Sequence, residues 1–271
     1  MTRSSSIVSG LLFGLVVSPL SLLVRFYHLI RPNHNSPASA RVYSVPLLLR
    51  VYDIVVLSLS NTYAWRCPTK EVLLPFFQTH LSTSKRHLDI GVGTGWYPAH
   101  SIEEMKNLET LVFMDVNEDT LNAARKRGLS AKVHSAGAGK VFQGAVVTRK
   151  KSCFEPLSAE EKETFDSISL FYLLHCLPTP ISEKLPAILR AALPSLKPNG
   201  ILYGATILGD GHNWGGRKLM EIYTKQGIFG NGKDNEEDLR RVMENAFEKV
   251  EVKRVGAVAL FWGKGKKNKG L

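Results

Sequence analysis

His87-Leu-Asp-Ile-Gly-Val-Gly-Thr-Gly95 decides the reading of this chain. A short apolar run carries Asp89 into a turn that holds Gly91, Gly93 and Gly95, and a helix is predicted to follow. Glycine has no Cβ, so a ligand can lie against the backbone there. The free N–H groups of a turn that opens a helix suit a polar or anionic ligand. Twenty residues past Gly95, the run Leu111-Val-Phe-Met114 ends in Asp115. An acid at the end of the second strand of a βαβ unit is placed to accept both hydroxyls of a ribose. Together these features predict an adenosine-containing cofactor.

Two details separate the candidate cofactors. The dinucleotide fingerprint places its third glycine three positions after the second, and that position here is Trp96. Asp89 is an anion just before the turn, poorly suited to a pyrophosphate and well suited to a cationic ligand. Asp89-Ile-Gly-Val-Gly-Thr-Gly95 resembles the first motif of class I S-adenosylmethionine methyltransferases, and Asp115 resembles their ribose-binding acid. A dinucleotide-dependent oxidoreductase, and a glycine turn that only links strand to helix, are the alternatives.

Composition bounds the rest. At 271 residues, 44% of them hydrophobic, the chain can build one α/β domain with appendages. The net charge is +11, part of it in Lys264, Lys266, Lys267 and Lys269, which read as a basic, disordered tail over 264–271. No basic stripe interleaved with aromatics is present, so no nucleic-acid partner is expected. Cys67, Cys153 and Cys176 are far apart; they imply no disulfide framework, no metal site and a reducing compartment. No charge occurs between Arg3 and Arg25. Residues 4–24 are therefore expected to form a hydrophobic helix, either associated with a membrane or packed on the domain, with a secretory signal as a further rival. Arg25, His28 and Arg31 follow that run and favour a cytoplasmic location, free or on the cytoplasmic face of an internal membrane.

Residues 1–36 read as this segment and a linker, 37–83 as a helical lid, and 84–263 as the core. Within the core, strands are predicted at Arg86–Ile90, Thr110–Asp115, Ala131–Ser135, Phe165–Tyr172 and Ile201–Leu208, with a final antiparallel pair at Val250–Val255 and Ala257–Trp262. Helices are predicted at Glu71–Leu81, Thr94–Met105 and Ser182–Leu196, and a further one from Asn117 to Gly128. The alternation argues for a mostly parallel sheet. The order resembles the Rossmann-like, seven-stranded methyltransferase sheet, an α/β fold with helices on both faces.

Further runs sharpen the resemblance. Ala64-Trp-Arg-Cys-Pro68 and Leu173-Leu-His-Cys-Leu-Pro178 look like those of small methyltransferases in fungal and bacterial natural-product pathways. The resemblance implies N- or O-methylation of a small secondary metabolite. A methyltransferase-like protein that binds but does not catalyse is the rival reading. One departure stands out: Ser152-Cys-Phe-Glu-Pro-Leu157 puts Ser152 where such enzymes carry an acid for the adenine amine. Residues 136–151 ahead of it look like an insertion.

The roles follow. Asp89, Gly91, Gly93, Gly95, Asp115, Val116, Ser152 and Phe171 are expected to hold the cofactor, with Arg66 pairing with its methionine carboxylate. Tyr52, Trp65, Tyr172, His212 and Trp214 are candidate acceptor contacts, each with core or loop packing as the alternative. His175, just past the fourth strand, is the candidate proton acceptor, or else a structural histidine bonding its own loop.

Overall fold

The computed structural model describes residues 53–136 and 142–267. Tyr52 and the uncharged run 4–24 lie outside the described residues. Among the described residues, no helix is long and apolar enough to cross a membrane.

A seven-stranded sheet forms the middle layer. Its strands are β1 (Arg86–Ile90), β2 (Thr110–Asp115), β3 (Ala145–Lys150), β4 (Phe165–Phe171), β5 (Leu196–Ile207), β6 (Phe247–Val255) and β7 (Val258–Lys266). The spatial order is β3-β2-β1-β4-β5-β7-β6, and only β7 runs antiparallel to its neighbours. β1, β2 and β4 are buried almost throughout because both of their faces are covered; β2 reads as an apolar run, whereas β1 and β4 also bury His87, Asp89, Ser167 and Ser169. Alternation divides their side chains between two cores. Leu88, Val112, Ile168 and Leu202 face the layer of α4 (Ile181–Ala192) and α6 (Glu236–Ala246). Phe113, Phe171, Tyr203 and Leu260 face the other layer, with Phe77 of α1 (Leu74–Leu81), Tyr97 of α2 (Trp96–Ala99), Leu121 of α3 (Glu118–Ala136) and Leu219 of α5 (Trp214–Lys225). A π-helix at Asp53–Ala64 packs against α5 on that side. Asn213 caps α5 by accepting from the Gly216 N–H at 2.7 Å, and Asn235 caps α6 through the Asp238 N–H at 2.8 Å.

Strand order reverses between β1 and β4, so a crevice opens beyond the carboxyl ends of these two strands. The turn Gly91–Gly95 leaves one of them and Tyr172 leaves the other.

Several elements differ from the sequence-based expectation. The third strand is Ala145–Lys150, inside the stretch that reads as an insertion, and it pairs with β2 from Thr110↔Ala145 to Asp115↔Lys150. Its Val146-Val-Thr148 run is β-branched, which suits a pleated strand. Residues 131–135 belong instead to α3, which continues through Gly128 to Ala136. The first core helix is one turn, Trp96–Ala99, with hydrogen-bonded turns carrying the chain on to Leu108. Residues 60–64, whose Ser-Asn-Thr-Tyr-Ala sequence reads as the start of a loop within the helical lid, are helical. The basic tail does not begin at Lys264: β7 runs through Lys266, whose Nζ donates to Glu163 and to the Leu193 and Leu196 carbonyls.

Candidate cofactor and acceptor cleft

The glycine turn is held from below and open above. The Gly91 N–H donates to the Met114 carbonyl at 2.8 Å, tying the turn to β2. All three glycines have positive φ, between 55° and 74°, where an L side chain is strained. A Cβ on Gly95 would lie 2.9 Å from the Cα of Ala124, so this glycine is needed for α3 to pack close. A Cβ on Gly93 would meet no atom within 4 Å. Its missing side chain therefore leaves space in the cleft rather than making room for the protein itself.

Asp89 and residues 91–94 form one wall of this cleft, with Trp96 and Tyr97 beside them; Phe171 and Tyr172 form the other wall, and Leu57 of the π-helix adds to the lining. Asp89 is 4% exposed, and its Oδ1 accepts from the Ser169 hydroxyl at 2.6 Å. No ion pair joins it to a cation among the described residues. Burial pushes its carboxyl up to about 7, against the lowering effect of the Ser169 bond and with a further push from Asp115. A buried, unpaired acid facing a glycine cradle fits a cationic group. Asp115, at the end of β2, accepts from the Asn117 N–H at 2.8 Å. Burial raises it to about 6, and the N–H groups of Asn117 and Val116 oppose that rise. Val116 is 55% exposed although it is apolar, as a platform for a planar base requires.

Because β3 sits at 145–150, Ser152 directly follows it, level with Asp115: the Lys151 N–H donates to the Asp115 carbonyl at 3.0 Å. The Ser152 Oγ accepts from the Phe154 N–H at 3.3 Å, and Phe154 is itself an exposed aromatic beside this edge.

Tyr172 has φ 58°, a left-handed conformation for a bulky residue. Its N–H donates to the Ala205 carbonyl at 2.8 Å, and its hydroxyl donates to the Asn61 Oδ1 at 3.0 Å. Asn61 in turn donates to Thr69 Oγ1 at 2.7 Å, and Thr69 donates to the Leu57 carbonyl. This buried chain fixes the π-helix over the end of β4.

Other expected site residues lie elsewhere. His175 is 3% exposed and packs edge-on to Tyr172 at 5.2 Å and to Phe229 at 4.6 Å, and it does not line the cleft. Burial, with Lys184 nearby, pushes its imidazole down to about 3, so it is a poor proton acceptor near neutral pH. Trp65 is 1% exposed, a core residue against His212 and Phe229. Arg66 is exposed at the turn between β6 and β7, where its neighbour Trp65 accepts from the Ala257 N–H at 2.8 Å. His212 is half-buried, which lowers its imidazole, and Trp214 is exposed at the start of α5; neither lines the Asp89 cleft. Leu57, Thr94, Trp96, Tyr97 and Asn61 were not foreseen. Trp96 and Tyr97 were legible as the residues straight after the glycine turn. Thr94 lies inside that turn, and Leu57 and Asn61 depended on tertiary contacts.

Comparison with known proteins agrees with this geometry. A family model described as a methyltransferase domain matches residues 64–249. The chain is 46% identical over 213 residues to YbcY of Escherichia coli (strain K12), covering 78% of this chain and 100% of that protein. It is 35% identical over 220 residues to the physcion biosynthesis cluster O-methyltransferase of Aspergillus chevalieri, covering 80% and 90%. Among solved structures it resembles an O-methyltransferase (NcsB1) from neocarzinostatin biosynthesis, in complex with S-adenosylmethionine and 2-hydroxy-5-methyl naphthoic acid. That match has a TM-score of 0.54 at 15% identity, over 93% of this chain and 69% of the other. The chain spans 62% and 65% of two further solved chains of this fold, so they are longer than it is.

Proposed function

Because this chain belongs to the methyltransferase-domain family, we propose that it moves a methyl group from S-adenosylmethionine to a hydroxyl of a small aromatic metabolite. The family assignment displaces the dinucleotide oxidoreductase reading. The observation that carries the cofactor is the cleft itself, with a buried Asp89 that has no cationic partner among the described residues and an open cradle at Gly93; Asp115 and the exposed Val116, at the end of the neighbouring strand β2, lie outside that lining and extend the reading toward the ribose and base.

When bound, the cofactor supplies a methyl group activated by a sulfonium. The protein's own work is positioning and exclusion of water. Asp89 receives the ammonium of the methionine end, the turn Gly91–Gly95 carries the backbone against it, and Asp115 takes the ribose hydroxyls. Val116 and Phe154 flank the base, and Ser152 offers an oxygen to its amine. Phe171, Tyr172, Tyr97 and Trp96 place aromatic surface around the reacting end of the cleft. That surface suits a planar acceptor, and O-methyltransferases among the relatives and the solved neighbours favour oxygen over nitrogen. His175 does not reach the cleft, so among the described residues no histidine there takes the acceptor proton. Without a histidine base in the cleft, a phenol, far more acidic than an alcohol, gives up its proton to solvent more readily and fits this site better.

The test is methyl transfer followed by mass spectrometry across matched phenols and amines. Product from phenols supports the reading; product from amines alone overturns it. The reading of residues 4–24 as membrane-associating rests on their composition alone. Partition of the full chain between soluble and membrane fractions decides it.

A further inference from the structure

Asp89 is the end of a buried hydrogen-bond chain. Ser84 Oγ lies 2.6 Å from Ser167 Oγ, and Ser167 Oγ lies 2.7 Å from His87 Nδ1. His87 Nε2 lies 3.1 Å from Ser169 Oγ, which lies 2.6 Å from Asp89 Oδ1. All five side chains are buried. The sheet register brings them together: β1 and β4 are parallel, with His87 opposite Ser167 and Asp89 opposite Ser169. Alternate residues of each strand share a face. Around the imidazole the setting is aromatic, with Tyr203 of β5 stacked at 5.9 Å and Phe77 of α1 edge-on at 5.9 Å.

The chemistry of the ends sets the direction of every proton. An ionised carboxylate can only accept, so the Ser169 hydroxyl donates to Asp89. Ser169 then accepts from His87, so Nε2 carries the hydrogen and Nδ1 is bare. Nδ1 must accept from the Ser167 hydroxyl, which in turn accepts from Ser84. With Asp89 ionised, all the dipoles of the chain point toward it, and each bond polarises the next. The imidazole acts here as a neutral dipole, since burial pushes it down to about 3. The other ionisable groups facing this spot are Asp115 from β2, which opposes ionisation of Asp89, Tyr203 from β5, and His80 of α1 against the Tyr203 ring at 5.2 Å.

We propose that His87 is a positioning residue for the cofactor: as the Nε2–H tautomer it aligns the Ser84–Ser167 and Ser169 hydroxyls toward Asp89 and keeps that carboxylate, in the ionised form that meets the cofactor, aimed at the cleft. The inference rests on the assignment of Asp89 to the cofactor's ammonium.

Calorimetric titration of S-adenosylhomocysteine into the full-length protein tests it. His87→Leu is expected to weaken binding roughly 5–20-fold, the scale of one lost bond in a network serving a charge, with kcat at saturating cofactor little changed. His87→Gln, which can donate to Ser169 and accept from Ser167, is expected to recover most of that loss. In a Ser169→Ala background, His87→Leu should add nothing, because the bond through which it acts is already gone. A purely structural histidine would lower the melting temperature, leave the affinity of the folded protein unchanged, and give independent effects in the double variant. Those outcomes overturn the inference. If His87→Leu does not fold, nitrogen NMR of the labelled wild-type complex decides, with Nδ1 protonation refuting the proposal. Asp89→Asn separates the two readings. If it binds normally, the Asp89 assignment itself fails; if only it weakens binding, the role of His87 fails alone.

Discussion

With Asp89 as the proposed receiver of the cofactor's ammonium, binding is expected to release a proton, and the size of that release follows from the structure. In the ligand-free protein, burial and the neighbouring Asp115 hold its carboxyl at about 7. At pH 6 such a group is about 90% protonated, so binding a cation there releases about 0.9 proton from it. Below pH 7 the affinity should therefore rise about tenfold per pH unit, and it should level off above pH 7. Asp115, held at about 6, adds its own release at pH 6 when it ionises to receive the ribose. Asp115→Asn removes that contribution and isolates Asp89. The assay is calorimetry at pH 6 in two buffers of different ionisation enthalpy, where the difference in apparent heat counts protons. The same shift acts on stability with a definite sign. The folded carboxyl is raised above its ordinary 3.8, so the ligand-free fold loses stability as pH rises from about 4 to about 7. The loss is of order 4 kcal/mol at ~1.4 kcal/mol per pH unit. Saturating cofactor should flatten that fall. Binding without proton release at pH 6 in Asp115→Asn, or affinity constant from pH 5 to 8, would refute the assignment of Asp89.

Asp115→Ala should weaken the cofactor by about 1–3 kcal/mol, because the ribose hydroxyls lose their buried partner; titration of the variant checks this. Gly95→Ala should cost more stability than Gly93→Ala. Both pay for positive φ, but only the first drives a Cβ to 2.9 Å from the Ala124 backbone, so thermal unfolding of the two separates packing from cleft space. His175→Ala should destabilise the fold by about 2–4 kcal/mol through the cavity left between Tyr172 and Phe229, with turnover of the folded fraction largely kept. A drop of a hundredfold in single-turnover rate, with stability intact, would return His175 to the chemistry. Lys184 and Asp234 form an ion pair at 2.7 Å with both side chains fully buried. Lys184→Met should therefore cost about 3–5 kcal/mol by leaving a buried carboxylate alone, and adding Asp234→Leu should recover part of it in chemical denaturation.

Much of this protein is written in local sequence. The glycine turn, Asp89 and Asp115 near the ends of two strands and the apolar run of β2 are short-range patterns, and they led to the sheet, the cofactor and the family. The third strand was misplaced for a physical reason. Gly128 reads as a helix stop, yet α3 carries it through at a place where a Cβ would meet the Phe113 ring only at 3.9 Å, so nothing in the packing demands a glycine there. Pairing with β2 then makes a strand of 145–150, in a stretch that looked patternless. The site residues divide along the same line. Asp89, Gly93 and Asp115 are placed by their own strand and turn, so spacing alone puts them at the carboxyl edge of the sheet. His175, Trp65 and Arg66 sit on segments whose direction depends on what packs against them, and proximity in sequence to the fourth strand or to the lid could not say which way they face. Tertiary structure alone decided that His175 lies behind Tyr172 and that Asn61 reaches across to its hydroxyl. It also decided that His87, two residues before Asp89, lies between Ser167 and Ser169 of β4, because only the register of two parallel strands brings those groups within hydrogen-bonding distance.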